Sequence, residues 1–375
     1  MTTPAGPSVA DHAVLFVSVP TGVGGSTRSL ANLMSYLHGD AVRILAGPGQ
    51  GRFVELVDDL HAAEQRIALI SSRNLRPLRR VWSAVRIAAF AVRHRRRLAA
   101  IHANGLKELS LSLPAALLSR VRLVVWVHNF RLPPSVRIFG GLWRLILPLC
   151  EVRWAAVSPL ARGLVADARL VRPAEVGIVP NPIDPGDLLT TRSPAIPDGP
   201  VTVAFLGAPR QYKGFHFLPD IIEAVGADVP VRWLVFSRQT DDDLAGTWDR
   251  LRALEAAGRV SIEGKFTDVR VAYAQCDVVL CPSVLDSFCR VAAEAMLNGI
   301  PVVGSDLEPI RDLLGDDEAG LVFPVRDVQA AAKAVTRLVG DTQLRAHLGA
   351  AGRRRATVYA PETVRRQMLE LYGLA

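Results

Sequence analysis

Apolar and polar positions change period repeatedly along the chain, in a fixed order. Short apolar runs at 13–19, 41–46, 66–70, 99–102, 122–127 and 152–157 read as strands, and the stretches between them carry apolar residues at helical spacing, the first over 27–38. The rhythm then restarts. Runs at 201–206, 231–236, 260–263, 277–281, 300–303 and 320–324 are again separated by helical patterns, with helices from about 328 and 341 and a last one over 361–371. Strands alternating with helices predict α/β architecture with parallel sheets covered on both faces. A proline-rich link from Pro180 to Pro200 parts the two halves. The expected domains are therefore 1–185 and 186–360, both Rossmann-like, followed by a helical segment over 361–375.

The most informative stretch is 276–305. Pro282, which has no amide hydrogen, ends the strand at 277–281. Asp286 and Ser287 are helix-entry residues, followed by Phe288, Val291, Ala292, Ala295 and Met296 at helical spacing, and Asn298-Gly299 is a stop. Amides at a helix start form a natural phosphate site. Glu294, flanked by Ala293 and Ala295, is costly to bury without a partner, and a carboxylate there accepts sugar hydroxyls well. Arg210 and Lys213 sit in a strand-to-helix loop after 201–206, where cations suit an anionic diphosphate. In the first half, Pro20 to Ser26 is a Gly-rich turn between the first strand and helix, where doubly wound sheets bind phosphates; a tight turn without a ligand fits it too. His128 closes the strand 122–127 and points to the ligand crevice, although a lone histidine there is more often structural.

Composition narrows the class. Half of the 375 residues are apolar and 21% are charged, which excludes a disordered chain and leaves room for two domains. Cys150, Cys276, Cys281 and Cys289 show no metal-ligand spacing and read as thiols of a reducing compartment. The beginning of the chain does not read as a signal peptide, and no apolar run reaches the roughly 18 residues that span a bilayer, so a cytoplasmic protein is expected. The net charge of +8 is unevenly spread: 65–150 holds 16 Lys or Arg and one acid, Glu108, and so carries +15, leaving −7 elsewhere. The helix over 76–97 interleaves arginines with Val81, Trp82, Val85 and Phe90, and 136–149 is a second amphipathic stretch. Such helices lie on anionic lipid, and a packed sheet helix with a solvated Arg face is the alternative. No nucleic-acid motif accompanies the arginines. The Asp241-Asp242-Asp243 run reads as a solvated loop rather than a metal site.

The stretch Asp286-Ser287-Phe288-Cys289, Glu294-Ala295-Met296 and Gly299-Ile300-Pro301-Val302-Val303 resembles the nucleotide-sugar site of the family 4 glycosyltransferases, which have the GT-B fold. The family usually has Glu at 286, Gly at 289, Arg at 208 (here Ala208) and Gly at 182 (here Pro182). The resemblance implies two Rossmann-like domains with a C-terminal helix crossing back to the first, the donor bound by the second domain and the acceptor by the first. It implies retaining transfer of a hexose from a nucleotide diphosphate-sugar to a hydroxyl acceptor, glycan or lipid-linked, with no metal and no further cofactor. Lys213 and Arg210 would stabilise the diphosphate with Gly207, Gly24 and Gly25; Ser287, Phe288, Cys289 and Arg290 would line the donor; Glu294 would hold the ribose, and Asp286 and His128 the hexose. A loop at Gly264-Lys265-Phe266 would face the base. The +15 segment suggests a membrane-linked acceptor and a peripheral place at an anionic membrane. A non-catalytic nucleotide-sugar binder and a sugar-nucleotide epimerase are the alternatives.

Overall fold

The computed structural model describes residues 12–19, 25–48, 52–69, 77–183, 199–237, 244–264 and 268–375. Gly24, the Asp241–Asp243 run, Lys265 and Phe266, the start of the chain and most of the proline-rich link lie outside the described residues. The chain divides into two compact units, 1–182 with 361–375, and 183–360.

The first unit is built on a parallel sheet of β1 (Ala13–Val17), β2 (Val42–Pro48), β3 (Gln65–Leu69), β4 (Leu98–Ala103), β5 (Arg122–Val127), β6 (Val152–Ala156) and β7 (Val176–Ile178), in the order β3-β2-β1-β4-β5-β6-β7. The second is built on β8 (Val201–Leu206), β9 (Val231–Phe236), β10 (Val260–Ile262), β11 (Val278–Cys281), β12 (Val302–Ser305) and β13 (Gly320–Phe323), in the order β10-β9-β8-β11-β12-β13. In each sheet the order reverses once, between β1 and β4 and between β8 and β11. Those two points leave a crevice beyond the strands' carboxyl ends, where doubly wound folds bind ligands.

The strand sequences explain this placement. Central strands buried on both faces need uninterrupted apolar residues, and all of β1, β8, β11 and β12 is buried. Helices start where a side chain satisfies the first free amides: Ser158 Oγ accepts from the Ala161 amide, and the Asp327 and Asp341 carboxylates accept from Ala330 and Leu344. The helix Pro361–Tyr372 belongs to the first unit. Arg365 Nε donates to Asp40 Oδ2 at 2.7 Å, and the Tyr372 hydroxyl lies 2.8 Å from His102 Nδ1 on β4.

Several boundaries differ from the sequence pattern. The basic helix spans Pro77–Arg93 and gives way to a turn over 94–97. The second amphipathic helix is Pro134–Ile146, followed by a single 3-10 turn, Leu147–Leu149, because Pro148 has no amide to extend the helix. The helix after β11 begins at Arg290, not at Asp286 or Ser287.

Candidate functional site

At the switch point of the second sheet, two loops are joined by their backbones. The loop after β8 ends in a 3-10 turn, Gln211–Lys213, and the Tyr212 carbonyl accepts amides from both Val284 (2.9 Å) and Leu285 (3.1 Å) in the loop after β11. Gly214 closes the turn with φ +72, and a Cβ there would stand 1.8 Å from the Pro282 carbonyl oxygen. The approach of the two loops therefore requires glycine at 214.

This stitch brings Lys213 and Asp286 together. Lys213 Nζ donates to Asp286 Oδ2 at 2.6 Å, with side-chain exposures of 28% and 11%. Burial alone would lower the lysine pKa, and the Asp286 carboxylate reverses this and raises it. Burial likewise works against the aspartate charge, but Lys213 and local amides hold its carboxyl below the usual range. The second oxygen, Oδ1, accepts the Ser287 amide at 2.9 Å and the Phe288 amide at 3.4 Å. These are two of the amides expected to receive phosphate; Asp286 takes them because the chain turns here instead of entering a helix. Cys289 follows with φ +56, a left-handed conformation that favours glycine. Its thiol is buried against that of Cys281, whose pKa this neighbour and then burial push up.

Glu294 lies one helical turn below Arg290 and is 6% exposed. The partner that burial demands is double. Arg290 Nε donates to Oε1 at 2.5 Å, and the Tyr273 hydroxyl donates to Oε2 at 2.7 Å. Tyr273, on the helix Val269–Ala274, was not singled out by the sequence; the one signal was that Glu294 needs a donor. Burial first, then the Glu294 charge, holds the Tyr273 hydroxyl protonated far above its usual pKa.

The remaining expected residues are placed less closely. Arg210 is exposed at the start of the 3-10 turn. Gly207 directly follows β8, and its amide donates to the Phe236 carbonyl. The Phe288 ring is buried and packs edge-on against Tyr359 at 5.4 Å, so only its backbone is left to meet a ligand. In the first unit, Gly25 is exposed at the first position of the helix Gly25–Tyr36. His128 lies just past β5, edge-on to Trp126 at 4.3 Å. Both its ring nitrogens are buried without a hydrogen bond, although Asn181 lies beside them. Burial lowers its pKa to about 3, so the imidazole is neutral at physiological pH. His102, also lowered to about 3 by burial and by His128, serves as an anchor for Tyr372.

Known structures give the class. The Anabaena protein HepE, solved with UDP and glucose, matches with a TM-score of 0.79 at 20% identity, covering 96% of this chain and 98% of HepE. A glycosyltransferase from Rickettsia africae matches with 0.78 at 14% identity, covering 96% and 97%. The fold is that of the GT-B glycosyltransferases. Family profiles then match both halves, "Glycosyltransferase Family 4" over 23–187 and "Glycosyl transferases group 1" over 200–341. A phosphatidyl-myo-inositol mannosyltransferase of Mycobacterium tuberculosis is 32% identical over 286 residues, 72% of each chain. One from Mycolicibacterium smegmatis is 34% identical over 178 residues, 46% of this chain and 44% of that enzyme. The chain belongs to glycosyltransferase family 4.

Proposed function

We propose that the enzyme transfers a hexose, with retention of configuration, from a nucleoside diphosphate-sugar to a hydroxyl of a membrane-lipid or lipid-linked acceptor. The observation that carries this reading is the Lys213–Asp286 pair, stitched by backbone hydrogen bonds into the switch point of the second sheet. The Lys213 ammonium, 28% exposed, remains open to a second anion, and a diphosphate supplies one that suits it. As the sugar C1–O bond breaks, negative charge grows on the leaving diphosphate. Lys213 and Arg210, on the loop after β8, neutralise it. Glu294, oriented by Arg290 and Tyr273, keeps acceptor capacity on both oxygens for the ribose diol. Asp286 positions the hexose, and the leaving phosphate takes the acceptor's proton. The proposal requires no metal, and among the described residues no group of three or more His, Cys, Asp or Glu side chains is placed to hold one.

The membrane part of the reading rests on the first unit. Among the described residues, Glu108, buried at 6% exposure, is the acid between 77 and 150. The helix Pro134–Ile146 buries Val136, Gly140 and Trp143, yet Ile138, Phe139, Leu142 and Leu145 form a second apolar stripe that is exposed beside Arg137 and Arg144. The helix Pro77–Arg93 likewise exposes Val81, Trp82 and Val85. An apolar stripe edged by arginines suits an anionic bilayer surface. No helix among the described residues is long and apolar enough to cross a membrane. Relatives named for phosphatidyl-inositol support the same acceptor class.

The test is thermal stability with UDP, GDP, ADP and dTDP and their sugars, on wild type and Lys213→Ala. A ligand at about 100 times its Kd adds roughly 2.7 kcal/mol. A midpoint rise with one nucleotide class, lost in Lys213→Ala, is expected. The same rise in Lys213→Ala, or none with any donor in wild type, overturns the site assignment. Donor binding without transfer to any lipid or glycan would leave the non-catalytic reading.

A further inference from the structure

The first sheet carries a carboxylate at its own switch point. Glu108 lies in the loop after β4, just before the helix Leu109–Ser119, and its Oε1 accepts the Val19 amide from the loop after β1 at 3.3 Å. That is long for a bond to a carboxylate, and it is the one hydrogen bond this carboxylate makes to another residue among the described ones. Its other oxygen has a different neighbour. Gly105 has φ +120, and a Cβ placed on it would stand 3.3 Å from Glu108 Oε2 and 3.4 Å from Asn129 Oδ1. Two oxygen acceptors therefore converge over a bare Cα. Asn129 Oδ1 takes the Leu106 amide at 3.1 Å and holds no donor toward Glu108.

Other polar groups at the carboxyl ends of these strands are also unsatisfied. Asn104 is 8% exposed with Oδ1 unpaired, while Asn181 Oδ1 and the His128 ring lie side by side, buried, without a hydrogen bond of full geometry. Buried polar groups are nearly always hydrogen-bonded, so several orphans on one rim require a common explanation. Most of the open capacity is oxygen that accepts, so the missing partner donates. A phosphate or carboxylate would meet the Glu108 charge; among the described residues Lys107 and Arg80 are the cations that act on it, and Arg80 already donates to the Lys107 carbonyl and Ser110 Oγ. A ring bearing adjacent hydroxyls fits.

We propose that Glu108, with Asn104, binds vicinal hydroxyls of the acceptor, a sugar or cyclitol ring, and so sets acceptor specificity. This rests on the glycosyl-transfer reading but uses residues that take no part in donor binding. Burial raises the Glu108 pKa to about 7, so its power to accept two hydroxyls grows as pH rises through neutrality.

The experiment compares wild type with Glu108→Gln, which keeps an oxygen for the Val19 amide, and with Asn104→Ala. Saturation-transfer NMR with free myo-inositol and methyl hexosides reads acceptor-ring binding, and the nucleotide thermal shift reads donor binding. Expected is ring binding in wild type that strengthens from pH 6 to 8, weakened about tenfold or more in Glu108→Gln and made independent of pH, with an unchanged donor shift. Wild-type ring binding in Glu108→Gln overturns the proposal, as does no ring binding in a wild-type protein that binds donor. A wild-type protein that binds a ring but no donor leaves Glu108 in place and refutes the donor site instead. Loss in Glu108→Gln with Asn104→Ala unaffected removes Asn104 alone.

Discussion

Replacing Lys213 by methionine leaves the Asp286 carboxylate, 11% exposed, with two backbone amides and no counter-charge. Breaking a buried pair from one side costs about 3–5 kcal/mol. The 28% exposure of Lys213 and the surviving amides place this one at the low end, about 3 kcal/mol. For a unit of this size that is a fall of roughly 6–12 °C in Tm. Removing both charges, in Lys213→Met/Asp286→Leu, restores stability to within about 1 kcal/mol of wild type, because no stranded charge remains. All of these variants lose the donor-induced shift. The pH dependence has a definite sign. The folded Asp286 pKa lies below its unfolded value of 3.8, so the pair's stabilisation is present above pH 3.8 and is lost as pH falls through the folded value. Wild type and Lys213→Met therefore converge in acid. Urea denaturation of the three proteins, with donor titration, is the assay. A Lys213→Met protein as stable as wild type, or a double variant that still binds donor, would refute the reasoning.

Cys289 pays for its left-handed backbone, so Cys289→Gly should be more stable than Cys289→Ala by about 1 kcal/mol; the reverse order in denaturant would show that this backbone stores no strain. Glu108 titrates at about 7 folded against 4.5 unfolded, so ionising it works against the fold. Between pH 4.5 and 7 wild type should lose up to about 3 kcal/mol relative to Glu108→Gln, with no further divergence above, and parallel stability curves would exclude a buried Glu108.

The sheets were readable because parallel strands covered on both faces leave unbroken apolar runs, and β5, β8 and β9 fall where those runs lie. Contacts across the chain were not readable. Lys213 and Asp286 are 73 residues apart, and nothing local marks them as partners. The helix after β11 was placed too early because Asp286-Ser287 has the chemistry of a cap. In the fold Asp286 caps a turn, and the positive φ of Cys289 delays the helix to Arg290. Tyr273 carries no sign in its own surroundings and was implied only by the cost of burying Glu294.

The return of the helix Pro361–Tyr372 to the first unit bears on synthesis. At about 5–20 residues per second, the ribosome completes β1 to β7 tens of seconds before this helix appears, because the whole of 183–360 must be made between them. During that interval Asp40 lacks Arg365 and His102 lacks Tyr372, and the apolar surface that Tyr372 covers is open. The second unit, contiguous in sequence, can finish folding first. The unit made first is therefore the last to close, and a nascent chain stalled before Pro361 holds a sheet that is exposed to chaperones and proteases.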